Sequence, residues 1–217
     1  MRKDLTAIYY SSNKELPEFE KKITDGILKV TKNLPIISVT QKPMDFGTNI
    51  CVGDVGCSDS NIYRQIQIAL EKVTTKYVCT LESDCLYPPT GYFDFVPPDD
   101  KIAYYYTNVW ILYKNSDVFK KKNYSLCALF SNREYLIWRI SRILAHRPMW
   151  YPSSDRKNMR PILWKKIGWL PIESEIPCVN IKTGQGLRWK TGTTDEKTTE
   201  LPYFGTVDEV KQKLWHK

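Results

Sequence analysis

The sequence has few of the features that mark secreted or membrane proteins. Its first apolar run, before Ser11, is only five or six residues long, which is shorter than the apolar region of a signal peptide. No later run approaches the roughly 20 apolar residues that a helix needs to span a membrane. We therefore expect a soluble, cytoplasmic protein with no membrane span.

Residues that bind zinc or build histidine-dependent active sites are also scarce. The two histidines, His146 and His216, lie far apart in the sequence, and the six cysteines include no C-x-x-C pair. These spacings argue against a zinc site and against a catalytic triad that uses histidine. In a chain that we expect to be cytoplasmic, the cysteines are predicted to be reduced and mostly buried.

The chain is long and apolar enough for one compact domain, and its charge is unevenly distributed. It has 217 residues, of which 42% are hydrophobic. Residues 1–110 contain 12 Lys and Arg against 14 Asp and Glu, net −2, whereas residues 111–217 contain 20 against 10, net +10. The basic half is consistent with an anionic partner, of which nucleic acid is the commonest, and equally with a solvated basic face.

Apolar strands and amphipathic helices alternate along the first eighty residues. Segments 5–10, 35–39 and 77–81 are short apolar runs typical of buried strands. Apolar residues at spacings of three and four indicate helices between these strands, the second with Ser58 or Ser60 as its N-cap. This order predicts an α/β fold with a mostly parallel sheet, in which ligands bind beyond the carboxyl ends of the strands.

Two acidic residues directly follow the third predicted strand. If the chain stays extended for three residues, Glu82 and Asp84 point to the same side, with Cα atoms roughly 7 Å apart. Two carboxylates so placed could bind Mg²⁺ or Mn²⁺, and a diphosphate would complete the coordination shell. Such a metal stabilises a leaving diphosphate as a Lewis acid. Carboxylates at strand ends are also common caps and turn formers, so the pair alone leaves both interpretations open.

A longer series of motifs makes the pair more specific. The series comprises residues 63–66 (YRQI), 77–78 (YV), 82–89 (ESDCLYPP), 92–95 (YFDF) and 105–110 (YYTNVW). In this order the motifs resemble a group of small GT-A-like glycosyltransferases from phage and metagenomic sequences. Some members of that group glycosylate hydroxymethylated pyrimidines in DNA, and the kinetoplastid base J glucosyltransferase looks like a distant relative. The resemblance covers residues 5–113, with a weaker match at 178–184.

The resemblance implies a GT-A-like fold, a Rossmann-like mixed sheet flanked by helices in one domain, and a UDP-sugar donor bound through Mn²⁺ or Mg²⁺. It implies that Asp84 is the principal metal ligand, with Glu82 as its partner and Ser83 in the same donor site. Arg64 is expected to face the diphosphate, although it could instead be a surface helix residue. The nucleoside pocket is expected to be lined by Tyr9, Tyr10, Ser11 and Ser12, of which the tyrosines could equally belong to the core.

Four positions depart from the family pattern, among them Lys182, which stands where the family usually has an arginine. Ser83 stands where the family usually has a histidine. Residues 180–184 read Asn-Ile-Lys-Thr-Gly where the family usually has Asp-Ile-Arg-His-Gly, so Asn180 replaces an aspartate and Thr183 replaces a histidine. In many GT-A enzymes that histidine completes the metal shell, which makes Thr183 the third candidate metal position. Its replacement implies weaker metal binding, a substitute ligand or reduced activity.

We expect residues 1–113 to form the nucleotide-sugar half of the domain and residues 114–217 the acceptor half. Segments 102–106 and 109–113 are typical of strands, and residues 131–134 (SNRE) form a capping box that predicts a helix with Leu136 and Trp138 inward and Arg139 elsewhere. Basic and aromatic residues after it could hold phosphates and stack on an extruded base, or stack on a sugar. The expected acceptor contacts are Tyr87, Asn108, Trp110, Arg156, Lys157 and Arg160.

An inverting transfer also needs a general base near the acceptor hydroxyl. Glu134 is the first candidate because it opens a helix after the strands, where many inverting GT-A enzymes keep their base, although a capping role explains it as well. Asp155, Glu173 and Glu175 are the other candidates in that half. The combined prediction is a metal-dependent sugar transfer from a UDP-sugar to 5-hydroxymethylpyrimidine in phage DNA. The alternatives are a glycan or protein acceptor, an inactive GT-A domain that binds nucleic acid, and a nucleotidyltransferase that releases pyrophosphate.

Overall fold

The computed structural model describes residues 2–122, 125, 127–155, 169–186 and 192–215. Within these ranges the chain forms two large sheets, one short hairpin and four helices. None of these helices is long and apolar enough to cross a lipid bilayer. In chain order the elements are β1 (Leu5–Ser11), α1 (Pro17–Thr31), β2 (Ile36–Thr40), β3 (Thr48–Cys51), α2 (Asp59–Leu70), β4 (Tyr77–Glu82), β5 (Cys85–Leu86), β6 (Ala103–Tyr106), β7 (Val109–Tyr113), β8 (Phe119–Lys122), β9 (Leu129–Asn132), α3 (Arg133–Ile143), β10 (Trp169–Ile172), β11 (Cys178–Lys182), β12 (Thr193–Thr198), β13 (Glu200–Leu201), β14 (Gly205–Thr206) and α4 (Val207–Trp215).

The larger sheet is mixed and has seven strands in the order β10-β6-β9-β4-β1-β2-β3. β1 is parallel to β2 and β4, and β2 is parallel to β3, whereas β9 is antiparallel to both β4 and β6. The carboxyl ends of β1, β2 and β4 therefore lie along one edge of the sheet, which we call the carboxyl edge. The strands predicted at 5–10, 35–39 and 77–81 are confirmed to within one residue at each end.

Helices cover both faces of the parallel half of this sheet, which explains why β1 is buried along its whole length. Side chains alternate between the two faces of a strand. Tyr9 lies on the face covered by α1, in one apolar cluster with Phe19 and Ile23. Tyr10 lies on the opposite face, in a second cluster that includes Tyr63 of α2. A continuous apolar strand is therefore stable here because neither face meets water.

The helix N-caps are close to the positions that the sequence predicts. Ser58 caps α2, since its hydroxyl accepts a backbone N–H bond at 3.0 Å from Asn61. For α3 the cap is Asn132 and not the first residue of the capping box, Ser131, which belongs to β9. The Asn132 side chain accepts from the second and third N–H groups of the helix. The helix thus begins one residue later than the capping box predicts.

The inward face of α3 differs from the prediction at two positions. Leu136 is buried as predicted, but Trp138 is 47% exposed and Arg139 is buried. The strand β10 brings Trp169 next to this helix, and the Arg139 guanidinium lies 4.4 Å from the centre of its ring. A guanidinium can be buried when it stacks on an aromatic face and its stem packs on apolar surface. This pairing explains the exchange of the two side chains.

The second sheet has the strand order β12-β8-β7-β11-β5. It contains the predicted strand at 109–113, while the strand predicted at 102–106 is observed as Ala103–Tyr106 in the larger sheet. β11 is parallel to β7 and antiparallel to β5, with Asn180 opposite Cys85. Because β5 follows β4 after only two residues, this pairing places the end of β11 beside the turn that joins β4 to β5.

Candidate functional site

The acidic pair predicted from the sequence lies at the carboxyl edge. Glu82 is the last residue of β4, and Ser83 and Asp84 form a two-residue turn before β5, which we call the β4–β5 turn. Extended geometry thus ends at Glu82, so the strand alternation assumed from the sequence does not determine where Asp84 points. Pairing with β11 determines it, because the Ile181 N–H donates to the Asp84 carbonyl at 2.6 Å.

Glu82 is held by two tyrosines. The hydroxyl of Tyr10, its cross-strand partner, donates to Glu82 Oε1 at 2.7 Å. The Glu82 backbone N–H donates at 2.7 Å to the hydroxyl of Tyr87, which itself donates to the carbonyl of Cys127 at 2.8 Å. Burial raises the pKa of Glu82 above its ordinary value, and the charge of Asp84 adds to this effect. A carboxyl with a raised pKa at a sheet edge is suited to proton transfer.

Both carboxylate oxygens of Asp84 have partners from β11. Asn180 Nδ2 donates to Oδ1 at 2.9 Å, and Lys182 Nζ lies 2.8 Å from Oδ2. This ion pair is nearly buried, with 10% of the Lys182 side chain and 16% of the Asp84 side chain exposed. Asn180 Oδ1 is fully buried and has no hydrogen-bond partner among the residues that the structure describes. In the sequence this segment only weakly matches the family pattern, and that pattern does not reveal that Lys182 contacts Asp84.

Lys182 remains a cation in this environment. Burial by itself favours the neutral amine and lowers the pKa of Lys182. The negative charge of Asp84, its hydrogen bond to the ammonium and the charge of Glu82 act in the opposite direction, and the pKa ends above the ordinary lysine value. The carboxyl edge therefore holds a fixed positive charge next to two acidic side chains.

A third carboxylate, Glu15, lies at the same edge. Thr183, the third candidate metal position, donates from its hydroxyl to Glu15 Oε2 at 2.6 Å. Glu15 is buried, and burial, reinforced by the charge of Asp84, raises its pKa. No sequence signal pointed to Glu15, because it lies in the irregular segment between β1 and α1.

The side chains at this edge, as they stand, do not fit a divalent metal ion. Asp84 already shares its two oxygens with Asn180 and Lys182. A divalent ion bound to Asp84 would lie next to the Lys182 ammonium, and the two positive charges would repel each other. Within the described ranges no group of three or more His, Cys, Asp or Glu side chains is arranged to hold a metal.

The four residues expected to line a nucleoside pocket are mostly internal. Tyr9 is fully buried and donates from its hydroxyl to Glu20 Oε1 at 2.6 Å. Tyr10 is buried against Glu82, and the buried Ser11 accepts an N–H bond from Asn13. Both tyrosines therefore belong to the buried core of the structure. Ser12 is half-buried, beyond the last residue of β1.

The loop that precedes residue 156 forms hydrogen bonds with Arg64 and with the start of α2. The Arg64 guanidinium donates to Gln67 Oε1 at 2.7 Å and to the Met149 carbonyl at 3.3 Å. At the helix start, Asp155 is buried and accepts from both the backbone N–H and the hydroxyl of Ser60. A carboxylate of the chain itself thus uses a helix N-terminus that would otherwise attract a phosphate. In the structure Arg64 supports this loop, and no described contact directs it towards the β4–β5 turn.

The structure places Glu134, the predicted general base, away from the β4–β5 turn. β9 is antiparallel to β4, and Asn132 at its end pairs with Tyr77 at the start of β4. Glu134 therefore opens α3 at the opposite edge of the sheet, about 17 Å along the strand from Glu82 at ~3.3 Å per residue. Its side chain is 76% exposed and pairs with the neighbouring Arg133. The sequence predicted a helix here to within one residue, but it gave no direction for the preceding strand.

Three of the residues expected to contact an acceptor make internal contacts instead. Tyr87 is buried and positions the β4–β5 turn as described above. Trp110 is buried too, and its indole N–H donates to Asn108 Oδ1 at 3.0 Å. Asn108 also accepts from Lys121 at 2.7 Å and donates to the Ser174 carbonyl at 2.9 Å. The remaining expected contacts lie outside the described residues; they are Arg156, Lys157 and Arg160.

Comparison with known proteins supports the fold. No protein-family model and no curated protein matches the sequence. The structure is similar to the inositol-1-phosphate CTP transferase from T. maritima, with a TM-score of 0.52 and 9% identity over 82% of this chain and 89% of that chain. It is also similar to a glycosyltransferase involved in glycosylation of the major capsid of PBCV-1, with a TM-score of 0.47 and 12% identity over 81% of this chain and 92% of that chain. A mannosyltransferase from Pyrobaculum calidifontis, solved with GDP-Man and Mn²⁺, has a TM-score of 0.49 and 16% identity over 85% of this chain and 58% of that chain.

At such identities the likeness concerns the fold alone. The strand order, the helices on both faces of the parallel half and the likeness to the CTP transferase agree with the architecture expected from the sequence. This protein therefore has a GT-A-like mixed α/β fold, similar to that of the CTP transferase and formed by a single domain.

Proposed function

We propose that this protein transfers a sugar from a nucleotide-sugar, with a UDP-sugar as the first candidate, to a hydroxyl acceptor. The observation that carries the proposal is the position of the β4–β5 turn in a GT-A-like fold. The turn follows a central parallel strand at the carboxyl edge, where open α/β sheets bind their ligands. Asp84 in this turn and Lys182 beside it form the polar centre at which the donor diphosphate binds.

Both predicted halves of the chain contribute to this centre. Glu82 and Asp84 come from residues 1–113, whereas Asn180, Lys182 and Thr183 come from residues 114–217. Donor binding therefore depends on β11 docking against β5 and β7. Residues 114–217 are still proposed to hold the acceptor, but they also complete the donor site.

The transfer breaks the bond between the anomeric carbon and a diphosphate oxygen and forms a bond between that carbon and the acceptor oxygen. The acceptor hydroxyl must lose its proton during this exchange, so a carboxylate is needed as general base. Glu15 and Glu82 lie at the carboxyl edge, and both have raised pKa values caused first by burial. They replace Glu134 as the candidates for this role.

For the acceptor, we propose 5-hydroxymethylpyrimidine in DNA. The net charge of +10 on residues 111–217 supports an anionic acceptor, and β8 contributes three consecutive lysines to that charge. The resemblance found in the sequence supports the modified base. A glycan or protein hydroxyl is the enzymatic alternative, and a domain that binds nucleic acid without turnover is the alternative outside enzymology. The last of these is favoured by Asp84 already being paired with Lys182.

Release of UDP from UDP-glucose tests the proposal. The full chain is incubated with the donor and with duplex DNA containing 5-hydroxymethylcytosine, unmodified DNA or a glycan. We expect release only with the modified DNA, and we expect Asp84→Asn to lower the rate by about 10²-fold or more. Asp100→Asn is the matched control, because Asp100 also pairs with a lysine at 2.8 Å but at the opposite edge of the sheet.

Four outcomes would contradict the proposal or part of it. Equal rates for Asp84→Asn and Asp100→Asn would remove the β4–β5 turn from the reaction. Stimulation by the glycan alone would replace the acceptor, and tight DNA binding with no turnover of any nucleotide-sugar would support the non-enzymatic alternative. Release of pyrophosphate from a nucleoside triphosphate would instead identify a nucleotidyltransferase.

A further inference from the structure

The cation next to Asp84 belongs to the polypeptide itself. Lys182 Nζ lies 2.8 Å from Asp84 Oδ2, in a pair of which both side chains are at least four-fifths buried. The position is fixed by strand pairing rather than by the reach of a long side chain. Lys182 is the last residue of β11, and Ile181 beside it bonds through its backbone to the Asp84 carbonyl.

The second carboxylate oxygen of Asp84, Oδ1, also has a hydrogen-bond donor where a metal ion would bind. Asn180 presents its amide N–H group to Oδ1 at 2.9 Å, so the side chain next to Asp84 acts as a donor instead of offering another ligand oxygen. Glu82 accepts from Tyr10, and Glu15 accepts from Thr183. Each carboxylate at the carboxyl edge therefore has a proton-donating partner from the chain itself.

From this arrangement we propose that Lys182 takes the place of a divalent metal ion, so that this protein binds the diphosphate of its donor without a metal. The inference deepens the function proposed above and rests on it for the identity of the ligand. An ammonium group has three N–H donors, and among the described residues one of them is directed at Asp84. The other two can bond to diphosphate oxygens, and lysine is a common phosphate ligand as a point charge.

The role of Asp84 changes accordingly. Instead of binding a metal, it holds the ammonium of Lys182 in place, and Asn180 holds Asp84. Lys182 is then a residue that binds the donor, and Asp84 and Asn180 are positioning residues. Removing the lysine charge should weaken nucleotide binding whether or not a metal ion is present, whereas a metal-dependent site would lose its affinity on chelation.

Binding of UDP and GDP to the full chain tests the proposal, with calorimetry in EDTA and in Mn²⁺. For the wild-type protein we expect the same affinity, within about twofold, in both solutions. Lys182→Met should weaken binding by about tenfold or more, because charge-assisted hydrogen bonds to phosphate are lost. Lys182→Arg keeps the charge and should retain most of the affinity. Lys76→Met is the matched control. Lys76 Nζ also lies 2.8 Å from an aspartate oxygen, that of Asp100, but this pair is far from the proposed site.

Direct binding of Mn²⁺, followed by electron paramagnetic resonance without nucleotide, provides a measurement that does not depend on the donor. We expect Mn²⁺ binding to be the same in the wild-type protein and in Asp84→Asn, because Asp84 does not form a Mn²⁺ site. A Mn²⁺ site that is present in wild type and lost in Asp84→Asn would overturn the proposal. Nucleotide binding that disappears in EDTA would also overturn it, and so would nucleotide binding that Lys182→Met leaves unchanged. If neither nucleotide binds under any condition, the proposed function fails, while the Mn²⁺ measurement still decides whether Lys182 excludes a metal. If Lys182→Met does not fold, the wild-type comparison and Lys182→Arg still decide the question.

Discussion

The hydroxyl of Tyr10 donates a 2.7 Å hydrogen bond to the carboxylate of Glu82, its neighbour across two parallel strands. This bond stabilises the ionised form of a carboxylate that burial makes more basic. The protein thus places a carboxylate with a raised pKa at the carboxyl edge and prevents the pKa from rising further. Several measurable properties depend on this arrangement.

The stability of the protein should depend on the ionisation of Glu82. Its pKa is raised in the folded state, so between the ordinary glutamate value and the raised value the folded protein holds more protons than the unfolded chain. Stability therefore falls as pH rises through this window. Glu82→Gln removes the effect, and we expect the stability of the variant relative to wild type to increase between about pH 4 and pH 8. Urea unfolding at both pH values measures this.

Glu134→Gln is the control for that experiment, because the Glu134 side chain is 76% exposed. Its free energy of unfolding is measured under the same conditions, and the pH-dependent gain is expected in Glu82→Gln. The difference in free energy of unfolding between wild type and Glu82→Gln could instead stay constant from acidic to basic pH. That result would show that Glu82 has an ordinary pKa in the folded protein.

The same variant of Glu134 tests the revised location of the general base. Because Glu134 lies at the opposite edge of the sheet, Glu134→Gln should keep kcat/KM within about twofold of wild type, whereas loss of a general base costs on the order of 10²–10⁴-fold. Glu15→Gln and Glu82→Gln should be compared in the same assay. A large loss in Glu134→Gln, with both others active, would restore the original prediction.

The Tyr87 hydroxyl connects the start of the β4–β5 turn to the segment before β9. Tyr87→Phe leaves the Glu82 N–H and the Cys127 carbonyl without this buried partner. We expect the free energy of unfolding to fall by ~1–3 kcal/mol in urea denaturation, the usual cost of unsatisfied buried polar groups. Tyr203→Phe is the control, since Tyr203 is 58% exposed, and it should change stability little. Equal stabilities for the two variants would contradict this role of Tyr87.

Asp155 should anchor the loop that covers the start of α2. It is buried, accepts two hydrogen bonds from Ser60 and pairs with Arg147. Asp155→Ala should lower the free energy of unfolding by ~3–5 kcal/mol, the usual result of removing one partner of a buried ion pair. Asp117→Ala removes a 95% exposed partner of Lys211 and should have little effect. Unchanged resistance of Asp155→Ala to urea and to limited proteolysis would argue against the anchor.

Local sequence patterns predicted three of the four parallel strands, β1, β2 and β4, but not β3 (Thr48–Cys51). β1, β2 and β4 are buried on both faces, so each is a short apolar run, and the amphipathic stripes of α1 and α2 mark the helices between them. These three strands are parallel, so the expectation that ligands bind beyond their carboxyl ends also placed Glu82 and Asp84 at the carboxyl edge.

The features that the sequence did not predict depend on long-range pairing. Lys182 reaches Asp84 from 98 residues away because β11 joins the second sheet, and no local pattern specifies this partner. The antiparallel direction of β9 was likewise not evident, and that direction alone moves Glu134 to the far edge. Glu15 lies in an irregular segment, where burial has no periodic signature.

Binding of a donor diphosphate at the β4–β5 turn is tested most directly by a crystal structure of the full chain soaked with UDP and Mn²⁺. We expect a diphosphate oxygen within about 3 Å of Lys182 Nζ, with the Lys182–Asp84 pair intact. A nucleotide bound away from this turn, or a metal ion on Asp84 with Lys182 displaced from it, would contradict the central claim.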